Sequence, residues 1–281
     1  GGLTANGLSD EVLLITGNNG ISIEKLPKLP KATKGATAAA IGSKLYVVGG
    51  ENTEGITSDF LMLDLDNLSE GWQKLPDFPK TVTYAMAVAQ MDGEELSLHV
   101  FGGRSRSSSE QINAFYSSVY RFRPSIGKWE KRQDIHLNRK KPLPSAAAAV
   151  APVGASHVVL IGGDNGLTFN QVEKAINAMQ TGDQNAQDRR DSLWQHHPGF
   201  NNKILIYNTV TDTWFDGGKW QGTPIAVAPA VNWNNSIIVA AGEIRPAVRN
   251  PFFLSSPSLD GSITSCLAFI LGECFFLAFF S

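Results

Sequence analysis

The segment GEIRPAVRN contains the strongest candidates for catalysis, because Glu243, Arg245 and Arg249 surround a proline-containing turn just after an apolar run. A carboxylate at a strand end can act as a general acid or base, because partial burial moves its pKa toward neutrality. An arginine six residues further along can bind a carboxylate through two parallel hydrogen bonds. The same three residues could instead form an ordinary salt-bridged turn, so the segment alone leaves both interpretations open.

A repeated pattern of short strands predicts what positions this segment. Four apolar runs end in a glycine pair or its Ala-Gly equivalent, and each follows a strand of small residues. In three units an alternating strand comes next, and a tryptophan then opens a last strand. The apolar runs are LYVVGG, LHVFGG, VVLIGG and IIVAAG, and the tryptophans are Trp72, Trp129 and Trp214. Four short strands in a unit of about fifty residues are typical of a β-propeller blade, in which small residues crowd the axis and a tryptophan packs between blades.

The segments that follow the glycine pairs are predicted to open on one face of the propeller, since the second strands of all blades end there. One of them, residues 164–202, is roughly thirty residues longer than an ordinary blade connection. Val172, Ile176 and Met179 within it are spaced three and four apart, which predicts a helix. We therefore expect a helical insertion that caps the face carrying the GEIRPAVRN segment.

The recurring glycine pair, alternating strand and tryptophan resemble the kelch repeat over most of residues 12–250. The resemblance implies an all-β fold, a kelch-type β-propeller of a six-bladed family, incomplete in this chain, with a helical insertion. At the start, EVLLITGNNG is interpreted as a second strand and ISIEKLPKLP as a fourth. From Pro251 the pattern is lost, so residues 1–253 are expected to form about three full and two partial blades, and residues 254–281 an apolar non-kelch tail.

Several phrases together are similar to the bacterial N-acetylneuraminate epimerases, or sialic acid mutarotases, and particularly to their cyclically permuted relatives. These are the insertion beginning GGDNGLTFN, the strand containing DTW, the AGEIRPAVR segment, ISIEKLPKLP and LDLDNLSEGWQKLPDFP. The resemblance implies an isomerase that needs no cofactor and interconverts the α and β anomers of sialic acid by acid/base ring opening. The family's GExxxxxR site maps Glu243 as the acid/base group and Arg249 as the group that holds the sugar carboxylate. Arg245 is expected to assist, and Asn165 and Asn170 to bind hydroxyl or acetamido groups.

Two other functions remain open. The propeller could be a non-catalytic kelch module that binds glycans or proteins, or the chain could be an inactive, truncated family member. Exposed sheet edges at partial blades would favour a homo-oligomer. The family resemblance implies a periplasmic or otherwise extracytoplasmic location, although the first residues, GGLTANGLSD, lack the basic start and apolar run of a signal peptide.

Composition argues against other partners and cofactors. Lys and Arg total 24 against 26 Asp and Glu, a net charge of -2, so no basic excess is present for nucleic acid binding. The apolar run from Cys266 to Phe280 is shorter than the roughly 20 residues that a membrane span needs. The five histidines lack metal-ligand spacing, and both cysteines lie near the end of the chain, so we expect no metal site.

Overall fold

The computed structural model of the chain describes residues 1–17, 21–106, 112–137, 141–233 and 236–249, together with the backbone of 253–256. In chain order the strands are β1 (Gly2–Thr4), β2 (Gly7–Ser9), β3 (Val12–Thr16), β4 (Ser22–Leu26), β5 (Thr37–Ile41), β6 (Lys44–Val48), β7 (Glu51–Asn52), β8 (Gly55–Ile56), β9 (Phe60–Asp64), β10 (Trp72–Lys74), β11 (Met86–Met91), β12 (Leu96–Phe101), β13 (Arg104–Ser105), β14 (Ala114–Phe115), β15 (Val119–Arg123), β16 (Lys128–Arg132), β17 (His136–Leu137), β18 (Lys141–Pro142), β19 (Ala149–Val153), β20 (His157–Ile161), β21 (Lys203–Asn208), β22 (Thr213–Lys219), β23 (Ala230–Trp233), β24 (Ser236–Ala240), β25 (Glu243–Arg245), β26 (Val248–Arg249) and β27 (Phe253–Ser256). Helices α1 (Leu167–Gln180) and α2 (Ala186–Gln195) lie between β20 and β21, and a 3-10 turn covers Leu68–Glu70.

The larger sheets are antiparallel and follow one another along the chain as propeller blades. Blade 1 is the pair β3–β4, blade 2 has the order β5-β6-β9-β10, blade 3 β11-β12-β15-β16, blade 4 β19-β20-β21-β22 and blade 5 β23-β24-β27. The first strands β5, β11, β19 and β23 contact one another in sequence, so they surround a common axis. The predicted fold class, an all-β kelch-type propeller with a helical insertion, is confirmed.

Neighbouring blades are linked near the axis by a series of backbone hydrogen bonds. The amide of Tyr84 donates to the carbonyl of Gly35, the amide of Ala147 to Tyr84 and the amide of Val227 to Ala147, each at 2.8 Å. Tyr84, Ala147 and Val227 have φ of 53°, 57° and 53°. This left-handed conformation costs a residue with a side chain about 1–2 kcal/mol, and here the inter-blade bonds offset part of that cost.

The glycine pairs are required because the next blade's backbone approaches closely. The amide of Gly103 donates to the carbonyl of Ser145 at 2.8 Å. A Cβ at Gly102, where φ is +55°, would lie 2.0 Å from that same carbonyl oxygen. The equivalent bonds between other blades run from Gly2 to Thr33, from Gly50 to Val82 and from Gly163 to Ile225. Glycine is thus selected at these positions by both its conformation and its lack of a side chain.

The hydrophobic core lies between blades, and the repeated tryptophans help to build it. The Trp129 ring packs 4.8 Å from Phe60 and 4.9 Å from Phe78, centroid to centroid. Its Nε1 donates to the carbonyl of Pro76, beyond the last strand of blade 2, at 3.2 Å. Trp72 and Trp214 make the corresponding bonds to Pro27 and Gln133. Each tryptophan therefore ties its blade to the preceding one.

The interpretation of EVLLITGNNG as a second strand is wrong. β3 pairs with β4 in a hairpin, which makes it the third strand of blade 1. The carbonyl of Asp10 accepts the amide of Leu29 at 2.9 Å, as Ser58 before β9 accepts Phe78 at 2.9 Å. The glycine pair of blade 1 is accordingly at residues 1 and 2, and GGLTANGLSD matches GGENTEGITSD of blade 2. Second and third strands of a blade are both apolar. Because a glycine follows β3 at residue 17, this third strand resembles a second strand in sequence.

The boundary expected after residue 253 falls inside a strand. β27 pairs with β24, from Phe253 opposite Ala240 to Ser256 opposite Ile237, so the sheet of blade 5 extends to Ser256. Backbone pairing with an existing strand does not require the alternating pattern that guided the boundary. Residues 257–281, which contain both cysteines and the apolar run, lie outside the described residues.

The helical insertion predicted for residues 164–202 is present as α1 and α2, which pack against each other. Val172 and Ala175 are buried on α1. The amide of Asn201 donates to the carbonyl of Gly163 at 3.0 Å, which returns the chain to the glycine pair from which the insertion began. Among the described residues, no helix is both long and apolar enough to span a bilayer.

Candidate functional site

One face of the propeller carries a charged residue from each of four successive blades at the same structural position. Each residue directly follows the glycine pair, or Ala241–Gly242 in blade 5, and forms a single β-bridge at the start of its own blade. The bridges are Lys34–Glu51 in blade 2, Thr83–Arg104 in blade 3, Ala146–Asp164 in blade 4 and Ala226–Glu243 in blade 5. Because the first strands surround the axis, Glu51, Arg104, Asp164 and Glu243 lie around it at this face. We call these four the axial charged residues.

The hairpin β25–β26 brings together two of the residues predicted from sequence. Glu243 is directly opposite Arg249, and Arg245 is opposite Val248, across a turn at residues 246–247. Directly paired residues on antiparallel strands have Cβ atoms about 4.5–5.5 Å apart. Glu243 is partly buried, whereas Arg245 and Arg249 are exposed. Within the described residues no ion pair joins Glu243 to either arginine, so the structure does not show the salt-bridged turn that was the alternative.

Arg245 faces a cleft between this hairpin and the helical insertion. The cleft has a volume of about 340 Å³ and is lined by Asp191, Trp194 and Gln195 of α2 and by Arg245, Pro246 and Val248 of the hairpin. Trp194 is 49% exposed, so its ring is available to a ligand. The insertion thus forms one wall beside the hairpin that carries Glu243, a position compatible with the cap expected from sequence.

Asp164 and His197 form a second ionisable pair beside the axis. Burial raises the pKa of the Asp164 carboxyl, although the amide of Gly166 and the charges of His197 and Arg104 act in the opposite direction. The Gly166 amide donates to Asp164 Oδ1 at 2.8 Å. Burial lowers the pKa of His197, while the charge of Asp164 raises it and that of Arg245 lowers it. Asp164 is therefore a carboxyl group that can hold a proton more readily than an exposed aspartate.

Arg104 occupies the corresponding position in blade 3 and is fixed by its neighbours. Its Nη1 donates to Asn113 Oδ1 at 2.7 Å. The guanidinium carbon lies 4.9 Å from the centroid of the Tyr84 ring and 4.5 Å from that of Phe169 on α1. Burial lowers the pKa of this guanidinium, and Tyr84 and Glu51 act in the opposite direction. The side chain remains charged at neutral pH because a guanidinium is not deprotonated in proteins.

The two asparagines predicted as ligands of substrate polar groups have different surroundings. Asn165 is exposed, and its Oδ1 accepts the amide of Leu167 at 3.0 Å, at the beginning of α1. Asn170 Nδ2 donates to the carbonyl of Asn113 at 3.0 Å, which connects α1 to the residue that precedes β14. Asn170 Oδ1 is buried without a hydrogen-bond partner among the described residues. Asn170 is therefore connected to Arg104 by way of Asn113, which contacts both residues. Asn165 stabilises the local turn before α1.

Arg104, Asp164 and His197 were not identified from the sequence. The signal for the first two was present, because each opens a segment after a glycine pair, as Glu243 does. Comparing the first residue of every such segment would have found the axial charged residues. His197 gives no such signal, since its proximity to Asp164 depends on how the insertion folds back. Within the described ranges, no three His, Cys, Asp or Glu side chains are grouped as metal ligands would be.

A family model described as N-acetylneuraminate epimerase matches residues 26–256. The chain is 26% identical over 228 residues to the N-acetylneuraminate epimerase of Salmonella arizonae, which covers 80% of this chain and 56% of that protein. It is 29% identical over 230 residues to the N-acetylneuraminate epimerase of Haemophilus influenzae, with 79% and 56% covered. The chain therefore spans little more than half the length of these curated relatives.

The solved structure titled "Structure of YjhT" is similar with a TM-score of 0.66 and 20% sequence identity, covering 84% of this chain and 69% of that one. At this identity the likeness concerns the fold alone. The family match, by contrast, includes the glycine pairs of blades 2 to 4, the insertion and the hairpin that carries Glu243 and Arg249. Since that match extends over most of the chain, the protein belongs to the N-acetylneuraminate epimerase family.

Proposed function

We propose that the protein is a sialic acid mutarotase that interconverts the α and β anomers of N-acetylneuraminate. The observation that carries the proposal is the hairpin β25–β26, which sets a partly buried carboxylate, Glu243, directly opposite an exposed guanidinium, Arg249, beside the axis. The names of the relatives support the substrate. A carboxylate and a guanidinium on adjacent strands are the two groups that an acidic sugar requires, one for proton transfer and one for its carboxylate.

In the proposed reaction, Glu243 accepts the proton of the anomeric hydroxyl while the bond between the anomeric carbon and the ring oxygen breaks. An acid donates a proton to the ring oxygen, which becomes a hydroxyl, and the anomeric carbon becomes a ketone. Rotation about the bond beside the ketone presents its other face to that hydroxyl, and the reverse proton transfers close the ring as the opposite anomer. Arg249 binds the substrate carboxylate and keeps the anomeric carbon near Glu243 during this rotation.

We propose that Asp164 is the acid that donates a proton to the ring oxygen. It occupies the position in blade 4 that Glu243 occupies in blade 5, so both carboxyl groups border the same axis. Burial raises the pKa of Asp164, and a carboxyl group that keeps its proton closer to neutral pH is a better acid for this step. His197, whose charge lowers the pKa of Asp164 and whose own pKa is lowered by the charge of Arg245, would tune this donor. Asn165 and Asn170 remain proposed contacts for hydroxyl or acetamido groups.

The test follows freshly released α-N-acetylneuraminate by proton NMR as it approaches anomeric equilibrium. The wild-type protein should accelerate the exchange over buffer, and Glu243→Gln should reduce the acceleration roughly 100- to 10,000-fold, the usual contribution of a general acid or base. Glu24→Gln is the matched control, because Glu24 is exposed on β4, away from the axis. Circular dichroism verifies that all three proteins are folded.

Two results would contradict the proposal. Folded wild-type protein that leaves the exchange rate at its buffer value would rule out mutarotase activity for this chain and leave the binding module and the inactive, truncated family member as alternatives. Full activity in Glu243→Gln would remove Glu243 from the mechanism. We further propose an extracytoplasmic, periplasmic site of action by resemblance to the family, which fractionation of cells that express the native gene would test.

A further inference from the structure

Arg104 is a partly buried cation for which the described residues supply no direct counter-ion. Its guanidinium lies over the rings of Tyr84 and Phe169, and its Nη1 donates to Asn113 Oδ1 at 2.7 Å. Among the described residues no carboxylate lies within ion-pair distance of it. A guanidinium has five N–H donors, and among the described residues the Arg104 side chain uses one of them, for the bond to Asn113. Removing such a charge from water is costly unless an anion pairs with it.

The nearby acids do not fill this role, because each already has a partner. Glu51 pairs with Lys34 at 3.4 Å. Glu173 pairs with Arg106 at 3.0 Å and accepts from Asn113 Nδ2 at 2.9 Å. Both carboxylates are therefore already engaged by other side-chain donors.

Asp164 is the third nearby acid. It accepts the Gly166 amide, and its burial favours the protonated form. Among the described residues, then, no acid forms an ion pair with Arg104, and its surroundings suit an anionic ligand.

We propose that Arg104 binds the carboxylate of an acidic sugar that lies over the propeller axis. The identity of that sugar as a sialic acid rests on the proposed function, whereas the anion site rests on the surroundings of Arg104 alone. Arg104 and Glu243 occupy equivalent positions in blades 3 and 5, so a ligand on the axis can be reached from both. Arg104 would then share the carboxylate with Arg249, or replace it as the main contact.

Asn113 is the positioning residue for this site. It is buried, and its side chain bridges Arg104 to Glu173 of α1, while its carbonyl accepts from Asn170. Phe169, also on α1, covers one face of the guanidinium. The helical insertion therefore sets the direction in which the free N–H groups of Arg104 point, which gives it a role in ligand recognition beyond capping the face.

The experiment measures binding of N-acetylneuraminate and of its uncharged methyl ester by isothermal titration calorimetry. Wild-type protein should prefer the acid. Arg104→Gln should weaken binding of the acid roughly 10- to 100-fold, as loss of a charge-assisted hydrogen-bond pair does, and leave the ester nearly unchanged. Arg189→Gln is the matched control, because Arg189 is exposed on α2 and pairs with Asp183. If Arg104→Gln fails to fold, Arg104→Lys replaces it and should lose part of the preference, since an ammonium cannot form the fork.

The proposal is overturned if wild-type protein does not prefer the acid, or if the Arg104 variant keeps the wild-type preference. Equal loss of acid and ester binding would also overturn it, because that pattern indicates a structural role. Binding needs no turnover, so the two proposals fail separately. A wild-type protein that prefers the acid but does not accelerate anomer exchange would refute the mutarotase and leave this anion site in place.

Discussion

Replacing His99 with phenylalanine should make the protein less sensitive to acid. His99 lies on β12 with its side chain completely buried, and both ring nitrogens lack a hydrogen-bond partner among the described residues. Its ring is 6.4 Å from that of Phe101 and 6.3 Å from that of Tyr207. Burial, assisted by the charge of Arg121, lowers the pKa of His99 to about 4. The folded protein therefore keeps this imidazole neutral where an unfolded chain would protonate it.

The size of the effect follows from the two pKa values. An unfolded histidine has a pKa of about 6.5, so unfolding takes up a proton below that pH, and stability is lost as the pH falls toward 4. Linkage gives a loss of about 2 kcal/mol at pH 5 relative to pH 7.5. Phenylalanine does not titrate, so His99→Phe should not lose this stability. Between pH 7.5 and pH 5 the unfolding free energy of the variant should therefore rise by about 2 kcal/mol relative to that of the wild type.

The assay is equilibrium urea unfolding, followed by tryptophan fluorescence at pH 7.5, 6 and 5. The comparison uses the change with pH, so any fixed packing cost of the larger ring cancels. His196→Phe is the matched control, because His196, the residue directly after α2, is exposed. A difference between His99→Phe and wild type that stays constant from pH 7.5 to 5 would refute the reasoning.

Two further variants test charges at opposite faces of the propeller. Asp92→Ala should cost about 3–5 kcal/mol and lower Tm by about 6–20 °C, because Arg121 and Arg123, which contact its buried carboxylate at 3.0 and 2.9 Å, would lose their shared partner. An unchanged Tm in a thermal melt at pH 7 would contradict this. Asp164→Asn should reduce anomer exchange roughly 100-fold in the NMR assay, because the proposed proton donor is lost. The same variant should raise Tm by about 2 °C at pH 7, because asparagine still accepts the Gly166 amide and carries no buried charge. This gain should disappear below the ordinary aspartate pKa, where the wild-type carboxyl is protonated in both states, and a lower Tm at pH 7 would contradict it.

Local pattern predicted the propeller and the hairpin residues because their determinants lie close together in the chain. The glycine pair, the alternating strand and the tryptophan occur in the same order in each unit, and Trp129 performs the inter-blade role expected of it. Glu243 and Arg249 are six residues apart around a proline turn, so a hairpin brings them together without help from distant residues.

Local pattern failed where two interpretations of a segment look alike in sequence. The third strand β3 was interpreted as a second strand because both are apolar and a glycine follows. Strand β27 was missed because its pairing with β24, not its own alternation, makes it a strand. In both cases the role of the segment depends on which strand it pairs with, and the residues of one segment do not specify that partner.

The repeating blades, the helical insertion and the hairpin of Glu243 and Arg249 could be predicted from local sequence, because strand alternation, turn residues and helical spacing act over a few residues. Which charged residues lie around the axis depends instead on how the blades pack. Arg104, Asp164 and Glu243 are separated by many tens of residues, and the superposition of blades places them at equivalent positions. Burial then raises the pKa of Asp164, and no carboxylate among the described residues forms an ion pair with Arg104, because the cost of a buried charge depends on what surrounds it in space.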